Sequence, residues 1–430
     1  MKVLVVGGGG RCHAIADALR RSPKVEKIYV APGNAGTAEV AENVPLKDTD
    51  VQGLLAFAQK KDIDLTVVGP EAALQAGIVD EFRSHGLRIF GPTAAAARIE
   101  TSKEFAKELM MRYDIPTAAY RPFDDYREAL DYVASRPLPA VLKYDGLAAG
   151  KGVVIARSME EAEAALRDML LDDKFGHGRV IVEDYLEGPE FSFMCFVSGS
   201  DVWPMPLAQD HKRAYDNDEG PNTGGMGTIA PSPYYTADVA KRCMEEIFLP
   251  TVEAMKKEGC PFKGCLYFGL ILTEQGPKVI EYNCRFGDPE TQALLPLVEG
   301  DLLEIMIATQ AGTLDKCEIK LSDKSSCCLV LASGGYPEKY EKGKLITFDG
   351  DVEADCGVCI FHAGTKLGTP DSSEFVTSGG RVLGITAVRD TLEEAVRAAY
   401  AAAERVHFDG KYSRSDIGLS ALRESRLKNG

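Results

Sequence analysis

The first hundred residues alternate short apolar runs with longer segments of helical periodicity. Apolar runs lie at residues 3–6, 28–30, 65–68 and 88–90, and helical patterns lie at 14–21, 51–60 and 73–84. Short strands separated by helices predict a parallel, doubly wound α/β sheet. Ligands of such sheets bind beyond the carboxyl ends of the strands, where this chain has polar, glycine-rich segments.

The remaining residues predict further α/β structure. Thr101 and Glu104 have the spacing of a capping box, which predicts the start of a helix. Residues 122–195 alternate strands and helices like a small α/β unit of their own. From about Ser326 the pattern changes to short strands with glycine turns, followed by a helix at 391–406, so we expect a domain boundary near Ser326.

Composition and charge narrow the class of protein. The chain has 430 residues, 45% hydrophobic and 27% charged, which is typical of a soluble protein with several domains. Its formal net charge of −16 disfavours nucleic acid as a partner, because affinity for a phosphate backbone needs clustered Lys and Arg. No apolar run could cross a membrane, and the N-terminus lacks a signal-peptide core, so we expect no membrane partner and a cytoplasmic location.

The cysteines indicate buried thiols rather than a metal site. There are 11, an odd number, and most lie in apolar runs, as expected in a reducing compartment. Cys356 and Cys359 form a Cys-x-x-Cys pair with His362 nearby. A structural zinc site needs four ligands and no second pair has matching spacing, so we interpret the two cysteines as strand residues within 354–361.

Two glycine-rich loops are candidates for binding phosphate. The first, at residues 7–13, lacks the third glycine of the dinucleotide fingerprint, and the acidic residue expected about 20 residues later is missing, which disfavours a nicotinamide dehydrogenase. The loop still offers backbone N–H groups at the start of a helix. The second, at 143–152, is not a P-loop, because Asp145 and Gly152 stand where Gly and Ser or Thr are needed. Lys143 and Lys151 flank it, which suits a hairpin that covers a triphosphate.

The segment at residues 279–292 carries the chemistry most directly. It begins as a buried strand and places Glu281 and Asn283 two residues apart, so that both side chains point to one face. Carboxylate and amide oxygens are the hard ligands that Mg²⁺ prefers. Arg285 follows as a planar donor for a phosphate or carboxylate. A metal-binding pair beside a guanidinium is what an enzyme that splits ATP requires.

Several motifs occur together in an order that resembles one enzyme family. They are Gly69-Pro-Glu71, Ser102-Lys103, residues 143–152, Asp210-His-Lys-Arg213, residues 221–227, residues 281–292, and His362-Ala-Gly-Thr-Lys366. The combination resembles the phosphoribosylamine–glycine ligases of purine biosynthesis, which are ATP-grasp enzymes, over nearly the whole chain. The resemblance implies an N-terminal doubly wound α/β domain at 1–102, an ATP-grasp domain at 103–325 with a mobile lid at about 122–195, and a small mixed α/β C-terminal domain at 326–430.

The resemblance also implies roles in binding ATP and metal. Lys103 and Lys143 would hold the phosphates, with the glycine-rich loop that includes Gly146, Gly150, Lys151 and Gly152. The backbone from Glu183 to Leu186 would meet adenine, and Glu190 would accept the ribose hydroxyls. Glu281 and Asn283 would bind Mg²⁺ or Mn²⁺.

The two small-molecule substrates would occupy the rest of the cleft. The residues expected around glycine and the reacting phosphate are Arg285, Asp210, Lys212, Arg213, Asn222, Gly224, Gly225 and Asp288. Those expected on the side of 5-phosphoribosylamine are Gly9, Asn34, Gly36, Thr37 and Glu71, with Lys366 as a candidate for its phosphate. The implied reaction activates glycine as glycyl phosphate, which the amine then attacks to give glycinamide ribonucleotide, ADP and phosphate. We expect a monomer.

The sequence is also compatible with other functions. The chain also fits a different ATP-grasp carboxylate–amine ligase or carboxylase, or a nucleotide-binding homologue with impaired catalysis.

The family usually has Glu in the first loop where this chain has Cys12. If that Glu contacts the amine substrate, affinity should fall, and if it caps the helix start, little should change. A third reading is that Cys12 is a reactive thiol, because a helix N-terminus lowers thiol pKa.

Overall fold

A computed structural model describes residues 1–146, 152–172, 174, 176, 178–234, 236–369 and 374–429. Its sheets and helices confirm the predicted α/β class: a parallel N-terminal sheet, a central antiparallel sheet with a small attached unit, and a mixed C-terminal region. Within those residues no helix combines the length and apolar character needed to cross a bilayer.

The N-terminal sheet is parallel and doubly wound. Its strands, in spatial order, are Glu42–Asn43, Lys27–Pro32, Lys2–Gly7, Leu65–Val68 and Ile89–Phe90. The helices are Gly10–Arg20, Thr37–Val40, Val51–Lys61, Glu71–Gln75, Ile78–Ser84 and Ala94–Thr101. The strand order reverses at Lys2–Gly7, so the loops that follow Gly7, Pro32 and Val68 come together at the carboxyl edge of the sheet.

Two hydrophobic cores join this sheet to the rest of the chain. Leu4 and Val6 pack into one core while Val3 and Val5 pack into the other, as alternation along a strand requires. The central strand Glu190–Ser198 contributes to both cores in the same alternating way. The N-terminal and central regions therefore share their interior, which fixes the N-terminal loops relative to the central sheet.

The central sheet is antiparallel and carries the metal-ligand candidates on its edge strand. Its strands, in spatial order, are Asp201–Pro204, Glu190–Ser198, Lys263–Thr273 and Gly276–Asn283. Its helices are Lys103–Arg112, Ala237–Arg242, the π-helical Cys243–Phe248, Leu249–Lys257, Glu290–Leu294 and Leu302–Ala311, with 3-10 turns at Leu295–Leu297 and Leu314–Lys316.

A four-stranded antiparallel unit lies between the N-terminal region and this sheet in sequence. Its strands, in spatial order, are Tyr120–Phe123, Val180–Asp184, Ala140–Tyr144 and Val153–Ala156, covered by the helices Tyr126–Ala134 and Met159–Leu170. The unit has its own hydrophobic core. The last residues of the segment 122–195 belong instead to the central sheet, where Glu190–Ser198 pairs with Lys263–Thr273.

The C-terminal sheet includes two strands from the middle of the chain. Its strands, in spatial order, are Gln209–Asp210, Gly227–Ala230, Ser325–Ser333, Arg381–Arg389 and Val358–His362, with Lys411–Tyr412 paired to Ser325–Ser333. A smaller sheet contains Thr365–Leu367, Phe375–Thr377, Leu345–Phe348 and Val406–His407. The helices are Val352–Cys356, Leu392–Glu404 and Leu419–Asn429, and the hairpin Arg213–Tyr215 with Glu219–Asn222 encloses the 3-10 turn Asp216–Asp218. Because the strand Gln209–Asp210 belongs to this sheet, the sheet fixes the position of Asp210.

Two local expectations were wrong. The capping box at Thr101 and Glu104 does not form, because Thr101 ends the preceding helix and Ser102 accepts the N–H of Phe105 as the N-cap. Cys356 is the last residue of a short helix rather than a strand residue, while Cys359 does lie in the strand Val358–His362.

Two buried histidines join the N-terminal helix to the C-terminal sheet. His13 Nδ1 accepts the backbone N–H of His362 at 2.9 Å, and Asn34 Nδ2 donates to the carbonyl of His362 at 2.7 Å. A Cβ at Gly36 would lie 2.6 Å from both rings, so glycine permits this close approach. Burial lowers the pKa of His13 to about 4 and that of His362 to about 3.

The histidine pair should make folding stability depend on pH between 7 and 5. The unfolded chain binds protons on both side chains below about pH 6.5 while the folded chain does not, so the free energy of unfolding should decrease as pH falls from 7 to 5, by an amount on the order of 4 kcal/mol. Urea denaturation at pH 7, 6 and 5 measures this slope, and His13→Gln should reduce it. A wild-type stability that stays constant or rises on acidification would contradict the burial of two neutral rings.

Candidate functional site

The strand Gly276–Asn283 presents two oxygen ligands on one face. Glu281 and Asn283 are two residues apart on this strand, so their side chains point to the same side of the sheet. The neighbouring strand places Gly269 opposite Glu281. A Cβ at Gly269 would lie 2.9 Å from Glu281 Cγ, so the absence of a side chain there leaves room for the carboxylate.

Lysine side chains surround Glu281. Lys212 Nζ lies 3.2 Å from Glu281 Oε1. The charge of Lys212, aided by Lys143 and Lys103, outweighs the effect of burial and holds the pKa of Glu281 at about 2. Glu281 is therefore ionised at neutral pH. Burial in turn opposes the charge of Lys212, but Glu281 raises the pKa of Lys212 well above its usual value.

Lys103 connects the helix Lys103–Arg112 to the glycine-rich loop. Its Nζ donates to the carbonyl of Gly146 at 2.8 Å, and Asp145 Oδ1 accepts the backbone N–H of Lys103 and Glu104. A cation at the first residue of a helix is disfavoured by the helix dipole, so this position does not serve the stability of the helix. Burial lowers the pKa of Lys103. Gly146 has a φ of +154°, a conformation that favours glycine.

Lys143 belongs to a buried group of three charges. Its Nζ lies 2.9 Å from Glu183 Oε1 and donates to the carbonyl of Ile280 at 2.9 Å. The other oxygen of Glu183 lies 2.9 Å from Lys107 Nζ. Lys107, Lys143 and Glu183 are only 2%, 4% and 5% exposed. The side chain of Glu183 is thus directed at two lysines, whereas the role expected near adenine concerns the backbone of Glu183–Leu186.

Arg285 joins the central region to the N-terminal region. Its Nε lies 3.2 Å from Glu71 Oε2, and its Nη2 lies 3.3 Å from Glu100 Oε1. The same Nη2 donates to Asn283 Oδ1 at 3.1 Å. Burial opposes ionisation of Glu71, but Arg285 and Arg11 outweigh it and lower the pKa of Glu71 to about 2. Arg285 is therefore held beside the metal-ligand candidates by two ionic contacts.

Asp288 is held between two arginines. Asp288 Oδ2 accepts the backbone N–H of Arg11 at 3.2 Å, and Asp288 Oδ1 lies 3.2 Å from Arg381 Nη2. Arg381 Nη1 also donates to the carbonyl of Gly224 at 2.6 Å. A Cβ at Gly224 would lie 2.9 Å from Arg381 Cζ, so a larger residue would displace this guanidinium. The first loop, the segment at 224–225 and the C-terminal sheet therefore meet at Asp288.

Asp210 and Glu290 are two carboxylates that interact electrostatically. Glu290 is 3% exposed, and burial together with the charge of Glu290 raises the pKa of Asp210 well above its usual range. The two cations near Asp210 have other partners. Lys212 pairs with Glu281, and Arg381 pairs with Asp288. The half-buried Asp210 and the buried Glu290 therefore offer two carboxylates to a small cation.

Gly225 makes the approach of these segments feasible. It has a φ of +113°, and a Cβ there would lie 2.4 Å from Pro289 Cδ and 2.6 Å from Asp210 Oδ1. Only glycine satisfies both constraints.

Other predicted residues lie around this centre. Arg213 Nη1 donates to the carbonyl of Gly220, so this guanidinium is used within its own hairpin, where Arg213 pairs with Asn222. Leu186 is half-buried after the strand Val180–Asp184, and Glu190 is exposed at the start of its strand. The carbonyl of Gly152 accepts the N–H of Tyr144 at 2.8 Å. Gly150 and Lys151 lie outside the described residues.

The predicted residues on the amine side mostly shape the loops. Asn34 Oδ1 accepts the N–H of Thr37 at 2.9 Å, and Thr37 Oγ1 accepts the N–H of Asn34 at 2.7 Å, so both side chains are used within their own turn. Gly36 packs on the histidine pair. Gly9 is the N-cap of the first helix, and a Cβ on it would lie 3.4 Å from Asp288 Oδ2. Lys366 is exposed on the strand Thr365–Leu367.

Cys12 is not a reactive thiol. It is 1% exposed, and burial raises the pKa of its thiol to about 12. Its Sγ packs under the first loop, because Cβ atoms on Gly7 or Gly69 would each lie 2.5 Å from it. A helix N-terminus lowers the pKa of a thiol, but at Cys12 desolvation by burial outweighs that effect.

The chain is similar to known proteins over its whole length. The phosphoribosylglycinamide synthetase family models match as an N domain at residues 1–100, an ATP-grasp (A) domain at 101–291 and a C domain at 326–420. The phosphoribosylamine–glycine ligase of Vibrio cholerae is 49% identical over 433 residues, covering 100% of both chains. That of Escherichia coli strain K12 is 49% identical over 427 residues, covering 98% of this chain and 99% of the relative.

A solved structure gives the same result. The crystal structure of phosphoribosylamine–glycine ligase from Thermotoga maritima superposes with a TM-score of 0.84 at 34% identity, covering 97% of this chain and 100% of that one. The chain belongs to the phosphoribosylamine–glycine ligase family. The resemblance drawn from the sequence motifs is therefore confirmed, as is the ATP-grasp class of its central region.

The oxygen donors at the cleft fit a magnesium ion of the kind usual in this family. Glu281 supplies an ionised carboxylate and Asn283 an amide oxygen, and both are hard ligands on one face. In this structure those oxygens contact Lys212 and Arg285. Among the residues that the structure describes, no group of three His, Cys, Asp or Glu side chains could enclose a metal by itself. An ion held by two protein ligands would complete its coordination shell with water and substrate phosphates.

Several site residues were missed from the sequence. Lys107 had a signal, since it lies four residues after Lys103 on the same face of one helix. Arg11 also had one, because it directly follows the glycines of the first loop. Arg381 and Glu100 had none, because their contacts with Asp288 and Arg285 depend on chain segments far apart in sequence.

Proposed function

We propose that this chain ligates glycine to 5-phosphoribosylamine at the expense of ATP, giving glycinamide ribonucleotide, ADP and phosphate. The observation that carries the proposal is the grouping of Glu281 and Asn283 with Lys103, Lys143 and Lys212 beside Arg285. Such a group neutralises and orients a triphosphate next to a carboxylate substrate. Membership of the ligase family supports the same chemistry.

ATP would bind between the four-stranded unit and the central sheet. Lys103 and Lys143 contact the phosphates, and the loop from Gly146 to Gly152 covers them. The backbone at Glu183–Leu186 and the side chain of Glu190 bind adenine and ribose. Transfer of a phosphoryl group needs positioning and charge neutralisation more than covalent help, which suits a site built from cations.

Glu281 and Asn283 would hold Mg²⁺ or Mn²⁺. The ion, when bound, neutralises charge on the phosphate oxygens. The protein contributes two oxygen ligands in fixed orientation, and Lys212 and Arg285 must move from those oxygens to the substrate when the site fills.

Glycine would bind with its ammonium group between Asp210 and Glu290. A cation there offsets the burial and the repulsion from Glu290, which together raise the pKa of Asp210. Asp210, expected from the sequence among catalytic groups, would then position the substrate. The glycine carboxylate faces Arg285 and Lys212 and attacks the γ-phosphorus. The bond to the β-phosphate oxygen breaks, and ADP and glycyl phosphate form.

The amine of 5-phosphoribosylamine would then attack the acyl carbon. The C–O bond to phosphate breaks, phosphate leaves, and the nitrogen releases a proton as the amide forms. The backbone around Gly9, Asn34, Gly36 and Thr37 lies on this side with Glu71, and Lys366 is a candidate for the phosphate. Water must be excluded, because an acyl phosphate hydrolyses easily. All these groups come from one chain, so a monomer suffices.

The test of the proposed function is substrate-dependent release of ADP. Purified protein with ATP and Mg²⁺ should release ADP only when glycine and freshly generated 5-phosphoribosylamine are both present, and mass spectrometry should detect glycinamide ribonucleotide. Bicarbonate replaces glycine in a matched reaction. Bicarbonate-dependent phosphate release without any effect of glycine would refute the proposal and indicate a carboxylase.

Arg285→Ala should lower kcat on the order of 10²–10³-fold, because it removes a fixed cation from a site of developing charge. Alanine also leaves Glu71 and Glu100 without their partner, so thermal unfolding is measured alongside. Arg285→Lys keeps the charge and should lose less activity than Arg285→Ala. Near wild-type turnover in a folded Arg285→Ala variant would remove Arg285 from the mechanism.

Glu290→Gln should raise KM for glycine on the order of tenfold while leaving KM for ATP within about twofold. The substitution keeps the shape of the side chain and removes one of the two charges that face the ammonium group. Glu299→Gln, which removes a charge from a surface ion pair with Lys320, is the matched control. Equal effects of Glu290→Gln on both substrates would argue against this glycine site.

A further inference from the structure

Lys107 is a buried cation for which the mechanism above has no use. It lies one turn after Lys103 on the helix Lys103–Arg112 and is 2% exposed. Its Nζ lies 2.9 Å from Glu183 Oε2 and donates to Thr117 Oγ1 at 2.8 Å. Burial lowers the pKa of Lys107 to about 8 although Glu183 acts in the opposite direction. A lysine held this deeply needs a reason beyond the helix.

The charge balance around Glu183 supplies that reason. Glu183 faces Lys107 with one oxygen and Lys143 with the other, both at 2.9 Å. If Lys107 were absent, the carboxylate of Glu183 would neutralise the ammonium group of Lys143. With Lys107 present, Lys107, Lys143 and Glu183 together keep one net positive charge beside the place proposed for the ATP phosphates.

We propose that Lys107 is a positioning residue for ATP: it engages one oxygen of Glu183, fixes the other on Lys143, and leaves Lys143 with an uncompensated charge for a phosphate. The inference rests on the proposed contact between Lys143 and ATP. Lys107 itself does not touch the nucleotide. Its effect is therefore on the binding of ATP and not on glycine.

A purely structural role for this trio is a weaker account. Buried ion pairs can often be replaced by apolar or neutral groups of similar size with little loss of stability. Lys143 also keeps a second anchor, the carbonyl of Ile280, when Glu183 changes. The charge model therefore makes a prediction that a structural role does not: neutralising Glu183 should compensate for the loss of Lys107.

The experiment measures the dissociation constant for MgATP by calorimetry on the full chain without glycine. Lys107→Met should weaken binding on the order of tenfold, because Glu183 then neutralises Lys143. The double variant Lys107→Met with Glu183→Gln should return to within about threefold of wild type, and Lys107→Arg should remain close to it. Arg112→Met removes an exposed cation from the same helix and serves as the charge-matched control.

Each outcome bears on one claim. Wild-type affinity in folded Lys107→Met, or a double variant bound on the order of tenfold more weakly than wild type, would overturn the inference. If Lys107→Met alone does not fold, the affinity of the double variant for MgATP still tests the inference. Unchanged affinity in Lys143→Met would instead refute the proposed ATP contact. A rise in KM for ATP with kcat and KM for glycine unchanged would support the positioning role.

Discussion

The burial of cations beside carboxylates is the constraint on which the site depends. The protein carries a net charge of −16, yet Lys103, Lys107, Lys143 and Lys212 converge on one cleft. Taking an ammonium group out of water costs several kcal/mol unless a partner is fixed nearby. Glu183 and Glu281 are those partners. An acidic protein can therefore gather lysines at one cleft by placing carboxylates beside them.

The same principle holds the regions of the chain together. Arg285 from the central region lies between Glu71 and Glu100 of the N-terminal region, and Asp288 lies between Arg11 and Arg381. These contacts place the first loop, the end of the edge strand and the C-terminal sheet around one point. Because each arginine also neutralises a buried carboxylate, loss of one contact would affect both the geometry and the charge of the cleft.

The structural features that the sequence predicts correctly are mostly local ones. The period of a strand placed Glu281 and Asn283 on one face, and alternating strands and helices predicted the N-terminal sheet correctly. The pairing of Glu190–Ser198 with the central sheet depends on a partner strand about 70 residues away, which periodicity does not identify. The contact of Arg381 with Asp288 is equally non-local. The environment of Cys12 is also non-local: its burial, more than its position at the helix start, sets the pKa of its thiol.

The glycine-rich turn at residues 33–37 does not present its polar side chains to a ligand. Asn34 and Thr37 hydrogen-bond to each other's backbone, and Asn34 also donates to the carbonyl of His362, so their side chains are already satisfied. What such a turn offers a substrate is its backbone, held in one shape, and Gly9 offers the same at the start of the first helix. The lysines and carboxylates act differently, because their charges are only partly compensated in the free protein. Recognition of phosphate and ammonium therefore rests on the charged groups, while the glycine-rich turns set the distances between them.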